Sequence, residues 1–327
     1  MTPWTRRATL AAMAALPLSR ARASNAAGTG NWPNEPIRIV VPFAPGGSTD
    51  AAARLAAPGL QQRLGVPIIV ENRSGAAGSI GTDVVAKAKP DGYTWLLTFD
   101  SHALMPVLVP SLPFDLEKDL APVTQIGRAP YVTACQPGKP YRSMDDVFAA
   151  ARKGAVSFGS TGNGTIGHLV MLMLGQRKGV EMTHLPYRSG GLAVDDAVAG
   201  HVDFMIGSAA LLAPQVSAGT LRPLMQFGSK RLSALPDVPT ATESGFPDLT
   251  AEAWWGVFAP AGVPAPILAR FQAALIEAYH EPRIAKQFTE VNQAELVLGE
   301  APALAKFVQE QVRVWGEVAR ANNVRPD

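Results

Sequence analysis

Three times along this chain an apolar, strand-like run breaks into a glycine-rich turn and then into a helix. The first is Ile37-Arg38-Ile39-Val40-Val41, broken at Pro42, turned through Pro45-Gly46-Gly47 and ended by Ser48-Thr49-Asp50 at the head of an Ala-rich segment. The second leads from the strand at 66–70 into the turn at 75–81, and the third from 155–158 into the turn at 159–168. Strands that alternate with helices at this spacing build a parallel sheet flanked by helices, because a parallel return needs a crossover of a dozen residues or more. In such sheets ligands lie beyond the carboxyl ends of the strands. The turns at 43–50 and 75–81 and the strand end at 98–102 therefore share one edge.

Each turn reads in two ways. The glycines let backbone approach a ligand closely, and the following helix offers unpaired N–H groups and the positive end of its dipole, an anion seat. The same residues also make a plain strand-to-helix turn with Ser48 or Thr49 as N-cap. Composition narrows the field. A chain of 327 residues with 47% hydrophobic and 17% charged residues is long enough for two folded domains. Its opening carries Arg6-Arg7, the apolar run 8–16 and an Ala21-Arg22-Ala23 exit, which reads as an export signal cleaved after Ala23, by either the ordinary or the twin-arginine route. Without the four arginines of that segment, 25 of the 29 basic residues remain against 27 acidic ones, so the mature chain is near −2. That balance argues against a nucleic-acid partner. The lone Cys135 sits in an apolar run and reads as a buried structural thiol.

Further elements follow in order. A helix spans about 48–64 with Gly65 as its stop, and Pro58-Gly59 inside it predicts a kink or two shorter helices. The next helix ends near Lys89, and a strand at 94–98 leads to Asp100, Ser101 and His102. A proline-marked connector (112–122) precedes a strand at 123–126. Past Arg128-Ala129-Pro130 a second series begins: strands at 131–135, 155–158, 180–185, 202–206 and 221–227, with helices between. Trp254-Trp255 reads as hinge-side core, and amphipathic helices over 265–279 and 302–320 close the chain. Glycine-rich turns in both series imply two similar domains facing one cleft. Residues 31–127 with 226–327 form the first and 128–225 the second; the chain crosses between them near 125–129 and 225–228. Residues 1–30 are signal and spacer.

Several chemistries drop out. Gly162-Asn163-Gly164-Thr165-Ile166-Gly167 matches G-x-G-x-x-G, yet the acid expected about 20 residues on, at the end of the next strand, is missing. No phosphate loop of the G-x-x-x-x-G-K-[ST] type and no G-x-S-x-G elbow exists. The five histidines lack metal-ligand spacing, so neither a metal nor a cofactor is expected. Ser160 with His168 could form a hydrolytic pair, the reading of an exported hydrolase. Arg73 and Arg188 follow strands and could meet a ligand carboxylate, or could simply pair at the surface.

Taken together, these motifs resemble the Bug-type solute receptors of tripartite tricarboxylate transporters. The resemblance is carried by Pro36 to Asp50, by Val70-Glu71-Asn72-Arg73-Ser74-Gly75-Ala76-Ala77-Gly78, by Lys89-Pro90-Asp91-Gly92-Tyr93-Thr94 and by Leu112-Pro113-Phe114-Asp115. It continues through Gly159 to Thr165, His184-Leu185-Pro186-Tyr187-Arg188, Leu235 to Thr240 and Trp255 to Pro260. It implies an α/β, two-domain periplasmic binding protein, each domain a mainly parallel sheet flanked by helices, the two joined by crossover strands. It further implies a non-catalytic, monomeric receptor that closes on a small mono- or dicarboxylate and hands it to membrane permease subunits, or serves a sensor instead. The resemblance assigns the ligand to two jaws. One is Phe43, Ala44, Pro45, Gly46, Gly47, Ser48, Thr49 and Asp50; the other is Ser160, Thr161, Gly162, Asn163, Gly164, Thr165 and His168. Ala77, Gly78, Ser79, Thr98, Asp100, Ser101, Tyr187, Arg188 and Ser208 complete the expected pocket. Lys is common in the family where Arg188 stands, and the helix carrying Pro58-Gly59 is usually continuous.

Overall fold

The computed structural model describes residues 30–109 and 111–324; the export signal lies outside the described residues. The first half of the chain runs β1 (Ile37–Val41), α1 (Ser48–Leu64), β2 (Ile68–Asn72), α2 (Ser79–Ala86), β3 (Thr94–Phe99), α3 (Met105–Leu108) and β4 (Leu120–Cys135). Next come α4 (Met144–Ala151), β5 (Ser157–Ser160), α5 (Ile166–Lys178), β6 (Thr183–Pro186), α6 (Gly190–Ala199), β7 (Phe204–Ser208), α7 (Ala209–Ser217) and β8 (Arg222–Gln226). The chain closes with β9 (Glu252–Pro260), α8 (Ala265–Tyr279), α9 (Pro282–Lys286), β10 (Glu295–Leu296) and α10 (Ala301–Ala321).

The strands form one curled, mixed sheet in the order β2-β1-β3-β9-β4-β7-β5-β6, with β8 and β10 also on β4. The parallel strands expected from the alternation are present in each half: β2-β1-β3 in one and β6-β5-β7 in the other. Between them β4 and β9 run antiparallel to their neighbours. The architecture is a two-domain α/β fold.

Joining the halves is β4, which pairs with β9 over Leu120 to Pro130 and with β7 and β8 from Tyr131 onward. The sequence suggested two strands split at Arg128-Ala129-Pro130, and the structure has one. A central strand tolerates proline only at bulges or where pairing changes. Pro122 borders a register shift against β9, and Pro130 is the last residue before the partner changes. The return path runs through Phe227, whose N–H donates to the Tyr131 carbonyl at 2.9 Å and whose carbonyl accepts from Ala251 N–H at 2.9 Å.

The kink or break expected in α1 does not divide it: α1 is one helix from Ser48 to Leu64. Packing against α8 overrides the local cost of Pro58. A Cβ on Gly59 would lie 2.9 Å from that of Ala278, so glycine lets the two helices touch. Arg63 Nη1 donates to the Gly59 carbonyl at 2.9 Å and also pairs with Glu281. The core is apolar, one large cluster with Trp95 stacked on Phe271 at 3.7 Å and a smaller one around Val40, Leu96 and Phe258. Trp254 and Trp255 are both buried, as is Cys135.

Candidate functional site

Beyond the carboxyl ends of the strands, the two halves meet around a small cavity of about 70 Å³. Its walls are Pro42, Phe43, Ser74, Gly75, Ala76, Ala77, Gly78 and Ser101 from one half and Thr161, Gly162, Asn163, Thr165, Tyr187 and Arg188 from the other. Of the expected ligand residues, Phe43, Ala77, Gly78, Ser101, Thr161, Gly162, Asn163, Thr165, Tyr187 and Arg188 are thus together. The only charged side chain in the lining is Arg188; among the described residues its guanidinium has no ion-pair partner. Arg73, by contrast, pairs with Glu71 at the surface. The Ser101 and Thr161 hydroxyls are buried with no protein partner. A buried hydroxyl without a partner costs free energy unless something else bonds it, so both are places for a ligand or water.

The remaining expected residues sit elsewhere, for reasons that side-chain direction decides. Asp50 is buried and turned into its own loop: it accepts from Gly46 N–H at 3.1 Å, Arg54 Nε at 2.9 Å and Asn72 Nδ2 at 3.0 Å. Burial alone opposes its ionisation, but Arg54, Gly46 and Asn72 outweigh it and hold the carboxyl below its ordinary range. Gly47, not Ser48 or Thr49, takes the N-cap position of α1, and no side chain caps it. Gly46, Gly47 and Ser48 line a separate groove of about 530 Å³ with Arg54, Leu211, Gln215 and Arg283. Thr49 and Ser79 are buried, and Ala44 and Pro45 are outside both linings. Thr98 and Ser208 are buried, each with a hydroxyl that has no protein partner.

In the opposite jaw, Thr165 caps α5 by accepting from His168 N–H and donates to the Gly162 carbonyl at 3.0 Å. Ser160 is buried, and its hydroxyl lies 2.7 Å from His184 Nε2 and 3.0 Å from the Gly162 carbonyl. The expected Ser160–His168 pair does not form. His168 instead accepts from Gly164 N–H at its Nδ1, 3.1 Å away, which places its proton on Nε2. The two imidazoles stack at 3.8 Å and 12°. Burial lowers His168 to about 4 and, with His168 beside it, His184 to about 3. Both are neutral at neutral pH. The Ser160 hydroxyl is sealed inside the turn and meets no cavity.

The jaws touch by backbone. A Cβ on Gly191 would stand 3.0 Å from the Gly46 carbonyl oxygen, and one on Gly164 would overlap Leu108. Residues missed at the sequence level are Pro42 and Ser74, while Gly75 and Ala76 belong to the turn at 75–81 expected at this edge without being named singly. Gly75, Ala76, Ala77 and Gly78 form an unbroken run of positive φ, at 139°, 45°, 54° and 89°. Two alanines in the left-handed region are strained positions, each costing about 1–2 kcal/mol. The two glycines flanking them were the available signal.

The chain is similar to known proteins along most of its length. Residues 52–324 match the family model described as tripartite tricarboxylate transporter family receptor. The protein BugT of Bordetella pertussis is 35% identical over 298 residues, covering 90% of this chain and 91% of that protein. An R. palustris protein solved with adipate superposes with a TM-score of 0.85 at 29% identity, covering 90% of this chain and 99% of the other. MatC from Rhodopseudomonas palustris, solved with bound malate, gives 0.81 at 31% identity, over 88% and 99% of the two chains.

Proposed function

Because the chain belongs to the tripartite tricarboxylate transporter receptor family, we propose that it is an exported receptor that closes on a small carboxylate and delivers it to membrane permease subunits. The observation that carries this reading is the small cavity between the halves, whose single charged lining residue is Arg188, unpaired among the described residues. Backbone of the two turns and the Ser101 and Thr161 hydroxyls supply the remaining polar partners. One carboxylate oxygen pair fits the guanidinium in bidentate fashion. Relatives solved with adipate and malate are consistent with a dicarboxylate ligand.

An amino acid is disfavoured. Its ammonium would need an acceptor, and Asp100 is sealed behind Ser101 while Asp196 is engaged by the Tyr187 hydroxyl at 2.7 Å. At about 70 Å³ the cavity is small. It suits a short diacid, and a longer one requires the jaws to part further.

We assign 31–127 with 226–327 to one domain and 128–225 to the other, hinged where β4 changes partner and where Phe227 returns. The ligand shifts the open–closed equilibrium by its preference for the assembled site. The test is a thermal-shift panel of mono- and dicarboxylates against amino acids and neutral analogues, since a ligand stabilises by mass action. Stabilisation by short dicarboxylates supports the reading; a panel in which no carboxylate raises the melting temperature refutes it.

A further inference from the structure

A buried hydrogen bond joins the two halves beneath the cavity. Its acceptor is Asp100, which follows β3 and precedes Ser101 in the lining. The Asp100 side chain is wholly buried; Oδ2 accepts from the Tyr131 hydroxyl at 2.5 Å, and Oδ1 has no partner. Tyr131 stands on β4 just past the point where pairing passes from β9 to β7, so this bond spans the two halves. The Tyr131 ring packs on Gly167, where a Cβ would come within 2.7 Å, and the Gly167 N–H is aimed at the same hydroxyl. Gly167 lies in the first turn of α5, two residues after Thr165 in the opposite wall.

No charge compensates this carboxyl. The Tyr131 hydroxyl from β4 and the Ser101 N–H from its own turn are the groups that act on it. Among the described residues, no cation or second carboxylate from β9, α5 or α10 reaches it. His102, two residues on, packs instead against Phe258 at 4.5 Å and is held neutral by its own burial. A buried carboxylate met only by neutral donors, with one oxygen left bare, is disfavoured against its protonated form. Burial accordingly raises Asp100 to about 8, partly offset by Tyr131 and the Ser101 N–H.

We propose that Asp100 is a proton-linked positioning residue of the cleft: closure over a ligand captures one proton on this carboxyl, so the affinity for ligand falls as pH rises. The proposal rests on the carboxylate-receptor reading. When the halves part, the bond between Asp100 and Tyr131 opens and water reaches the carboxyl, which returns toward its ordinary value near 3.8. Between that value and about 8 the closed form binds more protons than the open one. Its advantage is complete at the acid end and is lost as pH rises through the upper value. The apparent Kd then climbs by up to tenfold per pH unit across the window.

The test is isothermal titration calorimetry of the full chain with succinate, from about pH 6.5 to 9, in buffers of different ionisation heat. The expected result is uptake of up to one proton per succinate and affinity that weakens with pH. Asp100→Asn, which mimics the protonated form, should bind succinate with no uptake from this group. Tyr131→Phe should move the uptake to higher pH, because the lost hydroxyl favoured the ionised form. A purely structural role would weaken binding equally at every pH without changing the proton count. Succinate binding with no proton uptake, or with uptake unchanged in Asp100→Asn, overturns the proposal alone. Absence of binding by every carboxylate overturns the receptor reading and this proposal together.

Discussion

The two glycine-rich turns that face each other across the cavity look alike in sequence and are held by opposite means. The turn before α1 is fixed by charge: an ionised Asp50 gathers Gly46, Arg54 and Asn72, and Asn72 also donates to the Phe43 carbonyl at 3.0 Å. The turn before α5 is fixed by neutral packing, with His168 on His184 at 3.8 Å and Phe158 against His184 at 4.8 Å. A shared pattern of glycines therefore specifies where backbone is exposed, while the anchoring beneath it is free to differ. The contrast matters for acid response. On mild acidification the buried histidines stay neutral while the unfolded chain takes up protons, which erodes stability, and the carboxylate-anchored turn loses favourable charge only at lower pH.

The largest expected effect comes from breaking the charged anchor. Asp50→Ala leaves the Gly46 N–H and Asn72 amide without their acceptor and should cost about 1.5–3 kcal/mol, the range for hydrogen bonds to a charged group. Urea unfolding measures it, and the same substitution should weaken ligand binding by loosening Phe43. A loss below half of that would mean the loop is held by its backbone alone. Acid titration probes the other anchor. Since His168 and His184 titrate lower folded than unfolded, the stability they permit is complete above about 6.5 and is lost as pH falls toward about 4. Each contributes at most ~1.4 kcal/mol per pH unit. The His184→Phe variant should show a shallower decline between pH 6.5 and 4.5, and an unchanged slope would remove the histidines as its source.

Smaller effects test the walls between the anchors. Arg188→Gln keeps a hydrogen-bonding side chain but removes the charge, and should weaken a dicarboxylate by about 1–2 kcal/mol, roughly tenfold, if the guanidinium holds it. Calorimetry with succinate reads this, and equal affinity would move the distal group elsewhere. Ala77→Gly relieves one left-handed alanine, and the stability it returns, up to about 1 kcal/mol, is offset by the greater freedom of unfolded glycine. A rise in melting temperature with weaker ligand binding would show that strain in Gly75–Gly78 shapes the wall.

Legibility in the sequence followed the reach of the forces involved. The strand β1 and the helices α1 and α8 were bounded correctly, since their limits are set by local signals such as Pro42, Gly65 and the proline before Ala265. The strands β2, β5 and β7 lie two residues further along than their apolar runs suggested, because pairing across the sheet sets their ends. The short π-helical turn at Gln287–Val291 and β10 left no periodic trace. Within the site, glycine placement marked the cavity. It could not say that Asp50 and Ser160 point inward, nor that Ser160 would choose His184 over His168, because direction depends on packing from distant segments.

The continuity of β4 has a consequence for how the molecule comes apart. Neither half of the sheet is complete without the other's share of the same strand, and the Tyr131 carbonyl also holds the return path at Phe227. Losing one half strips the other of its central strand. Melting should then be a single calorimetric event, with the van't Hoff enthalpy equal to the measured one, although the halves are free to rock. β4 is a shared spine, and it denies either half an independent existence.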